Sequence, residues 1–257
     1  MDLGLAGKKA FVMGSTGGMG EGIARRLSAE GASVMISGRS IEKGSALAAQ
    51  IGNASFCHLD LSMQESIDEA IKKIESEFGS LDILVCNGGG PPPGPIVSVE
   101  TQLWQAQFET MFTNQIKIVN AYLPQMRQKK WGRVLVVSSS GIQQPIPNLG
   151  ISNSIRAAQV GWAKTLAGEV AADGVTVNIC APGRIHTDRV NQIDEAAAER
   201  LGRDIEDVRA ESRATIPMSR YGKVEEFADT AVFLLSTNAS YITGSIIRVD
   251  GGMIRGV

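Results

Sequence analysis

Seven short apolar runs, spaced by longer helical patterns, constrain this chain more than any other feature. The runs lie at about 9–13, 33–37, 54–59, 81–86, 133–137, 175–180 and 246–249. They are rich in β-branched residues and do not alternate apolar with polar. Strands of a parallel sheet buried on both faces read this way. Helical patterns fill the gaps, at about 19–34, 41–51, 62–78, 98–129, 153–172, 192–212 and 224–236. Strand and helix in strict alternation imply an α/β protein, a doubly wound parallel sheet of about seven strands with helices on both faces. No repeat, linker or low-complexity stretch divides the chain, so residues 1–257 are expected to form a single domain. Only Pro91-Pro92-Pro93-Gly94-Pro95 stands apart, as a stiff loop too short to be a linker.

Composition then narrows the function. A net charge of −2 leaves no electrostatic footprint for nucleic acid. No apolar run approaches the roughly 20 residues of a membrane span, and no leader pattern precedes Lys8-Lys9. Three scattered cysteines in apolar segments read as reduced, buried thiols, and two histidines are too few for a histidine-rich metal site. A cytoplasmic protein without a metal, a nucleic-acid partner or a membrane is the expectation.

The first run ends in Gly14-Ser15-Thr16-Gly17-Gly18-Met19-Gly20, which opens a helical pattern. Glycines there permit a tight turn and let backbone N–H groups approach a pyrophosphate at the helix N-terminus. A plain glycine-rich turn would look similar, but its place after the first strand of a strand–helix–strand unit favours nucleotide binding. The strand made by the second run closes on Ser37-Gly38-Arg39. An acidic side chain there would suit the ribose 2′-hydroxyl of NAD, whereas arginine suits a 2′-phosphate. NADP is therefore the expected cofactor, with NAD as the alternative.

With these motifs in order, the sequence resembles the short-chain dehydrogenase/reductase family along its whole length, and is most similar to its 3-oxoacyl carrier-protein reductases. The resemblance implies a Rossmann sheet and an oxidoreductase that interconverts a carbonyl and an alcohol. Gly14, Ser15, Thr16, Gly18, Met19 and Gly20 fall on the family's phosphate turn, and Asp60 with Leu61 on its adenine-contacting segment. Cys86-Asn87-Gly88-Gly89 resembles its Asn-Asn-Ala-Gly, retaining only the second asparagine as Asn87, followed by Gly88. Pro182, Gly183, Ile185 and Thr187 match the Pro-Gly loop that faces the nicotinamide carboxamide and the phosphates. Asn114 and Ser139 fall on two members of the catalytic tetrad. The resemblance also implies a small carbonyl, alcohol or acyl-thioester substrate and a homo-oligomer, dimer or tetramer, paired through the helices at 98–129 and 153–172.

The pattern then breaks. Thirteen residues after Ser139, where the family has the tyrosine of Tyr-x-x-x-Lys, stands Ser152, and the lysine position is Arg156. The three tyrosines are Tyr122, Tyr221 and Tyr241, so none lies between 123 and 220. A phenol of ordinary pKa near 10 is within reach of tuning to a general acid, whereas a serine hydroxyl is far weaker and shorter. Arg156 is expected to reach the nicotinamide ribose but to stay protonated. His186 has a suitable pKa for acid–base work, yet reads first as solvent-facing. Residues 184–213 are the expected substrate lid, with six arginines and eight acids in a salt-bridged pattern. Three readings follow. The first is a reductase with an atypical active site, using Ser139, Asn114, Arg156 and Ser152. The second is a catalytically silent nucleotide-binding protein that acts as sensor or scaffold. The third is a lyase-like derivative similar to halohydrin dehalogenases, ranked last because those relatives lose the glycine loop that is present here.

Overall fold

A computed structural model describes residues 1–256. Seven strands form one parallel sheet in the order β3-β2-β1-β4-β5-β6-β7. They are β1 (Lys9–Val12), β2 (Ser33–Gly38), β3 (Ala54–His58), β4 (Ile83–Cys86), β5 (Gly132–Val137), β6 (Val175–Pro182) and β7 (Ile246–Val249). The expected strand count and doubly wound architecture are both found. The lack of alternation in the runs has a direct cause. Ala10 and Val12 face one apolar layer, with Ile23, Leu27, Phe227 and Leu235. Phe11 and Met13 face the other, with Ile67, Ile118, Tyr122 and Leu166. The central strands β1 and β4 are therefore buried on both faces and apolar at nearly every position. Each Leu or Ile so buried contributes about 1.5–3 kcal/mol.

Helices α1 (Gly18–Ala29), α2 (Ile41–Ile51) and α9 (Val224–Leu235) cover the first face. Helices α3 (Gln64–Phe78), α5 (Asn114–Gln128) and α6 (Gly150–Val170) cover the second. The strand order reverses between β1 and β4, and in open α/β sheets a ligand crevice forms at the carboxyl ends of the strands at such a point.

Three helix boundaries differ from the sequence pattern. The pattern at 19–34 ends at Ala29, because Gly31 turns the chain at φ 83° into β2. The pattern at 192–212 is two helices, α7 (Asp188–Leu201) and α8 (Ile205–Ala214). Gly202 ends the first in the left-handed region, and the Asp204 carboxylate accepts from the Glu206 N–H to start the second.

The pattern at 98–129 is also interrupted. Helix α4 (Thr101–Phe108) runs into a π turn over Glu109–Thr113 before α5 begins at Asn114. Such turns are rare and need outside support for their displaced carbonyls. Here Gln159 of α6, buried at 3% exposure, donates from Nε2 to the Met111 carbonyl at 3.0 Å. On the far side of the turn, Asn114 Nδ2 donates to the Leu61 carbonyl at 2.8 Å. A Gln159→Leu substitution removes this buried hydrogen bond to the π turn and is expected to cost about 1 kcal/mol. Urea unfolding measures this; a midpoint equal to wild type contradicts it.

Candidate active site

The glycine turn at the end of β1 is required by geometry at each of its motif positions. Gly14 and Gly18 have φ of 56° and 57°, which L side chains rarely adopt. A Cβ on Gly20 would lie 2.5 Å from the Gly14 carbonyl oxygen and 2.7 Å from Asn87 Nδ2. Ser15 is fully buried and bolts the turn to β2. Its hydroxyl donates to the Val12 carbonyl (2.6 Å) and accepts from the Ser37 N–H (2.9 Å). Thr16 and Met19 are half-buried, and Met19 packs on the first core layer. Asn87, at the end of β4, donates Nδ2 to the carbonyls of Met13 and Gly14 (3.1 and 2.8 Å), so β4 holds the turn from the other side. Beside it, a Cβ on Gly88 would lie 3.2 Å from Gln115 Nε2.

Helix α1 starts behind this turn without a side-chain cap, because its N-cap is Gly17. Nothing lies within 4 Å of the place a Gly17 Cβ would take. An uncapped helix N-terminus facing open space, with the positive end of the helix dipole behind it, is a site for an anion. The Thr187 methyl would lie 3.5 Å from a Cβ on Gly18, so the Pro-Gly loop reaches across to the same turn. In that loop Gly183, whose Cβ would lie 2.8 Å from the Asp250 Cα, donates its N–H to the Val249 carbonyl. Pro182 ends β6, Ile185 is buried, and Thr187 caps α7 through the Val190 N–H.

Arg39 follows β2 and is exposed. Asp60 follows β3. Ser62 donates both its hydroxyl (2.7 Å) and its N–H (2.9 Å) to Asp60 Oδ1, which pulls the carboxyl below its ordinary range, and the charge of Arg39 adds to that. The two side chains thus share one rim of the crevice. Leu61 joins this rim to the centre through its carbonyl bond with Asn114.

At the centre, the Ser139 hydroxyl caps the short turn after β5, accepting from the Gly141 N–H at 3.1 Å. Its neighbour Ser138 is buried, with its hydroxyl 3.5 Å from Gln159 Oε1. On α6, Arg156 donates Nε to Ser152 Oγ (3.2 Å) and Nη1 to the Val137 carbonyl (3.0 Å). Ser152 and Arg156 are therefore one unit at the end of β5, beside Ser139. No carboxylate lies within ion-pair distance of Arg156 among the described residues. Desolvation of its guanidinium brings the pKa down to about 10, which leaves it charged at neutral pH.

None of the three tyrosines fills the gap on α6. Tyr122 is buried in α5, donates to the Ile71 carbonyl, and its phenol is pushed up by burial. Tyr221 donates to Asp194 at 2.8 Å, and Tyr241 is fully exposed. His186 is exposed, its ring 6.4 Å from that of Tyr221. Asn153 holds the loop before α6, donating to the Ile146 carbonyl and accepting from its N–H.

The proline loop borders a groove beside the centre of the site. Gly94 donates its N–H to the Asn148 carbonyl at 2.8 Å, tying residues 91–95 to the loop after β5. Between them runs a largely apolar groove of about 480 Å³, lined by Ile96, Gly141, Ile142, Ile146 and Ala157 among others. A Cβ on Gly141 would lie 3.3 Å from Ser139 Oγ, so the groove opens beside the candidate carbonyl-binding residue. A separate hollow of about 350 Å³ near Arg184, Arg220 and Arg248 lacks these side chains. Across the mouth, Arg189 of α7 donates to the Pro91 carbonyl at 3.3 Å. Neither Arg189 nor Gln159 stands out in the sequence. For Gln159 the usable signal was a polar residue on an otherwise apolar helix face.

With the sheet order, the glycine turn and the Pro-Gly loop in place, the chain belongs to the short-chain dehydrogenase/reductase family. The family profile described as enoyl-(acyl carrier protein) reductase matches residues 14–254. The chain is 33% identical over 250 residues to the 3-oxoacyl-[acyl-carrier-protein] reductase FabG of Escherichia coli, covering 96% of this chain and 97% of the relative. It is also 33% identical to the FabG of Aquifex aeolicus, over 98% and 100% of the two chains. Among solved structures it is similar to L-sorbose reductase from Gluconobacter frateurii, complexed with NADPH and L-sorbose. That match has a TM-score of 0.94 and 29% identity over 100% of both chains. YwfH, an NADPH-dependent reductase of bacilysin biosynthesis, matches with a TM-score of 0.93 and 29% identity over 98% of this chain and 100% of that one.

Two expectations follow from this geometry. Burial raises the thiols of Cys57 to about 11 and of Cys86 and Cys180 to about 12, so the reactive thiolate is scarce at pH 8. Native protein is expected to resist iodoacetamide at pH 8 and to take three labels only when unfolded. Mass spectrometry counts them, and rapid native labelling contradicts the thiol burial. Gly20→Ala is expected to destabilise the fold, because its Cβ meets the Gly14 and Ser15 backbone as well as the Asn87 amide; an unchanged melting temperature contradicts this.

Proposed function

We propose that the protein is an NADPH-dependent oxidoreductase that interconverts a carbonyl and an alcohol, similar to 3-oxoacyl carrier-protein reductases but with an altered proton-transfer site. The observation that carries the cofactor half is the uncapped N-terminus of α1 behind a turn that only glycine fits. The residues fit the dinucleotide. The N–H groups at Gly18 and Met19 take the pyrophosphate, and Arg39 takes the 2′-phosphate. Asp60 and Leu61 flank the adenine. Asn87, Gly88, Pro182, Gly183, Ile185 and Thr187 line the nicotinamide half. The NADPH named for the sorbose reductase and YwfH supports the same choice. When bound, NADPH supplies a hydride to the carbonyl carbon.

The protein's own groups act on the carbonyl oxygen. Ser139 orients it with a hydroxyl hydrogen bond. Ser152 donates the second hydrogen bond. The Arg156 Nε–H donates in turn to Ser152 Oγ, and this strengthens the serine as a donor while negative charge builds on the oxygen. Such charge-assisted donation is about twice as strong as a neutral hydrogen bond. Serine is too weak an acid to hold the proton balance alone. It passes its proton to the oxygen and regains one from solvent. Asn114, fixed between the π turn and Leu61, borders this path. The protein works as one catalytic domain, with 184–213 as its lid, in a cytoplasmic setting that suits its three free cysteines. It assembles as a dimer or tetramer through α5 and α6, where Gly161 has open space in front of its Cβ position.

The absence of a tyrosine from 123–220 favours a second reading, a nucleotide-binding protein without turnover. The deciding assay follows NADPH oxidation against 3-oxoacyl thioesters, 2-oxo acids and ketoses. Wild type is expected to reduce at least one class, with Ser152→Ala slower by on the order of 10²-fold. Turnover only in the Ser152→Tyr, Arg156→Lys double variant assigns the natural chain to the second reading.

A further inference from the structure

Asp194 is the one acidic side chain of the lid that is fully buried, at 1% exposure, and the mechanism above does not use it. It sits midway along α7. Its Oδ1 accepts from Arg184 Nη1 at 2.6 Å, and its Oδ2 accepts from the Tyr221 hydroxyl at 2.8 Å. Arg184 lies in the Pro-Gly loop, and Tyr221 lies in the segment that pairs with that loop. The Gly222 N–H donates to the Arg184 carbonyl, the His186 N–H donates to the Gly222 carbonyl, and Ile185 and Gly222 form a parallel bridge. Both oxygens of one carboxylate therefore hold the two strands of chain that flank Ile185 and Thr187.

Apart from the Arg189 bond to the Pro91 carbonyl, little else fastens the lid. Within α7 and α8 the buried side chains besides Asp194 are Ala198 and Val208. The other lid ion pairs, Arg203 with Glu211 and Arg209 with Glu206, lie within the lid and are exposed on their acidic side. A segment with so few buried apolar contacts opens at low free energy unless a specific interaction holds it. A buried ion pair is costly to break once formed, because the remaining partner is left as an uncompensated buried charge. Arg184 is only partly covered, so that cost falls mainly on the carboxylate.

We infer that Asp194 is the latch of the lid: by gripping Arg184 and Tyr221 at once, it holds α7 closed over the glycine turn and positions the Pro-Gly loop on the cofactor. It is a positioning residue, acting through Arg184 and Tyr221 on Ile185 and Thr187. The inference rests on the cofactor reading above. Its consequence is kinetic. A closed lid slows cofactor escape more than cofactor entry, so loss of the latch appears in the dissociation rate.

The experiment loads the protein with NADPH and chases it with excess NADP⁺ in a stopped-flow fluorimeter. Asp194→Ala is expected to release NADPH at least tenfold faster, with the association rate within about twofold of wild type. Tyr221→Phe, which removes one hydrogen bond and keeps the ion pair, is expected to fall between the two, and Asp194→Glu to recover most of the loss. Limited proteolysis of the cofactor-free proteins is a second readout, with cleavage within 184–213 expected to be faster in Asp194→Ala and Tyr221→Phe. Dissociation and lid cleavage within twofold of wild type in Tyr221→Phe and in folded Asp194→Ala overturn the latch. If Asp194→Ala does not fold, Tyr221→Phe alone decides in the same terms. A wild type that binds no NADPH overturns the cofactor reading instead, and the cleavage comparison then still decides the latch.

Discussion

The structure depends on one close approach, that of helix α1 to the ends of β1 and β4. Gly20 lets the helix settle against the Gly14 carbonyl, and Asn87 bridges the turn from β4. Ser15 locks it to β2. Any side chain at Gly20 would push the helix outward and misdirect its uncapped N-terminus. Three strands thus converge on one anion-binding end at the point where strand order reverses. The crevice is a consequence of that packing, and the Pro-Gly loop after β6 reaches across to the same turn.

The other half of the site is built around α6. In place of a phenol and an ammonium it carries a hydroxyl and a guanidinium that bond to each other and to the end of β5. The fixed charge is retained and the tunable acid is lost. On the proposed reading, such a site relies on electrostatic stabilisation of a developing oxyanion more than on a well-matched proton donor. The same helix contributes Gln159, which secures the π turn and so the placement of Asn114. Ser152, Arg156 and Gln159 thus tie one helix to both the chemistry and its support.

Much of this was legible in the sequence. The strands were readable because a sheet buried on both faces demands unbroken apolar runs, and the glycine turn because its spacing has a steric cause. Arg39, Asp60 and Asn87 stand just after β2, β3 and β4, at the carboxyl ends of those strands. The breaks in the long helical patterns were not legible. A π turn at Glu109–Thr113 is stabilised by Gln159, some 48 residues away in sequence, and local periodicity carries no trace of such a partner. The role of Ser15 was hidden for the same reason, since its hydroxyl is satisfied by Val12 and Ser37 across two strands. Asp194 read as one of eight lid acids, and only folding shows that it alone is buried between Arg184 and Tyr221.

On the proposed reading, the cofactor half of the site is set for a 2′-phosphate whatever serves as proton donor. Isothermal titration calorimetry with NADPH and NADH tests it without a substrate. The account predicts saturable binding of one NADPH per chain, at least tenfold tighter than NADH. An absence of binding by either dinucleotide, or a preference for NADH, would contradict it.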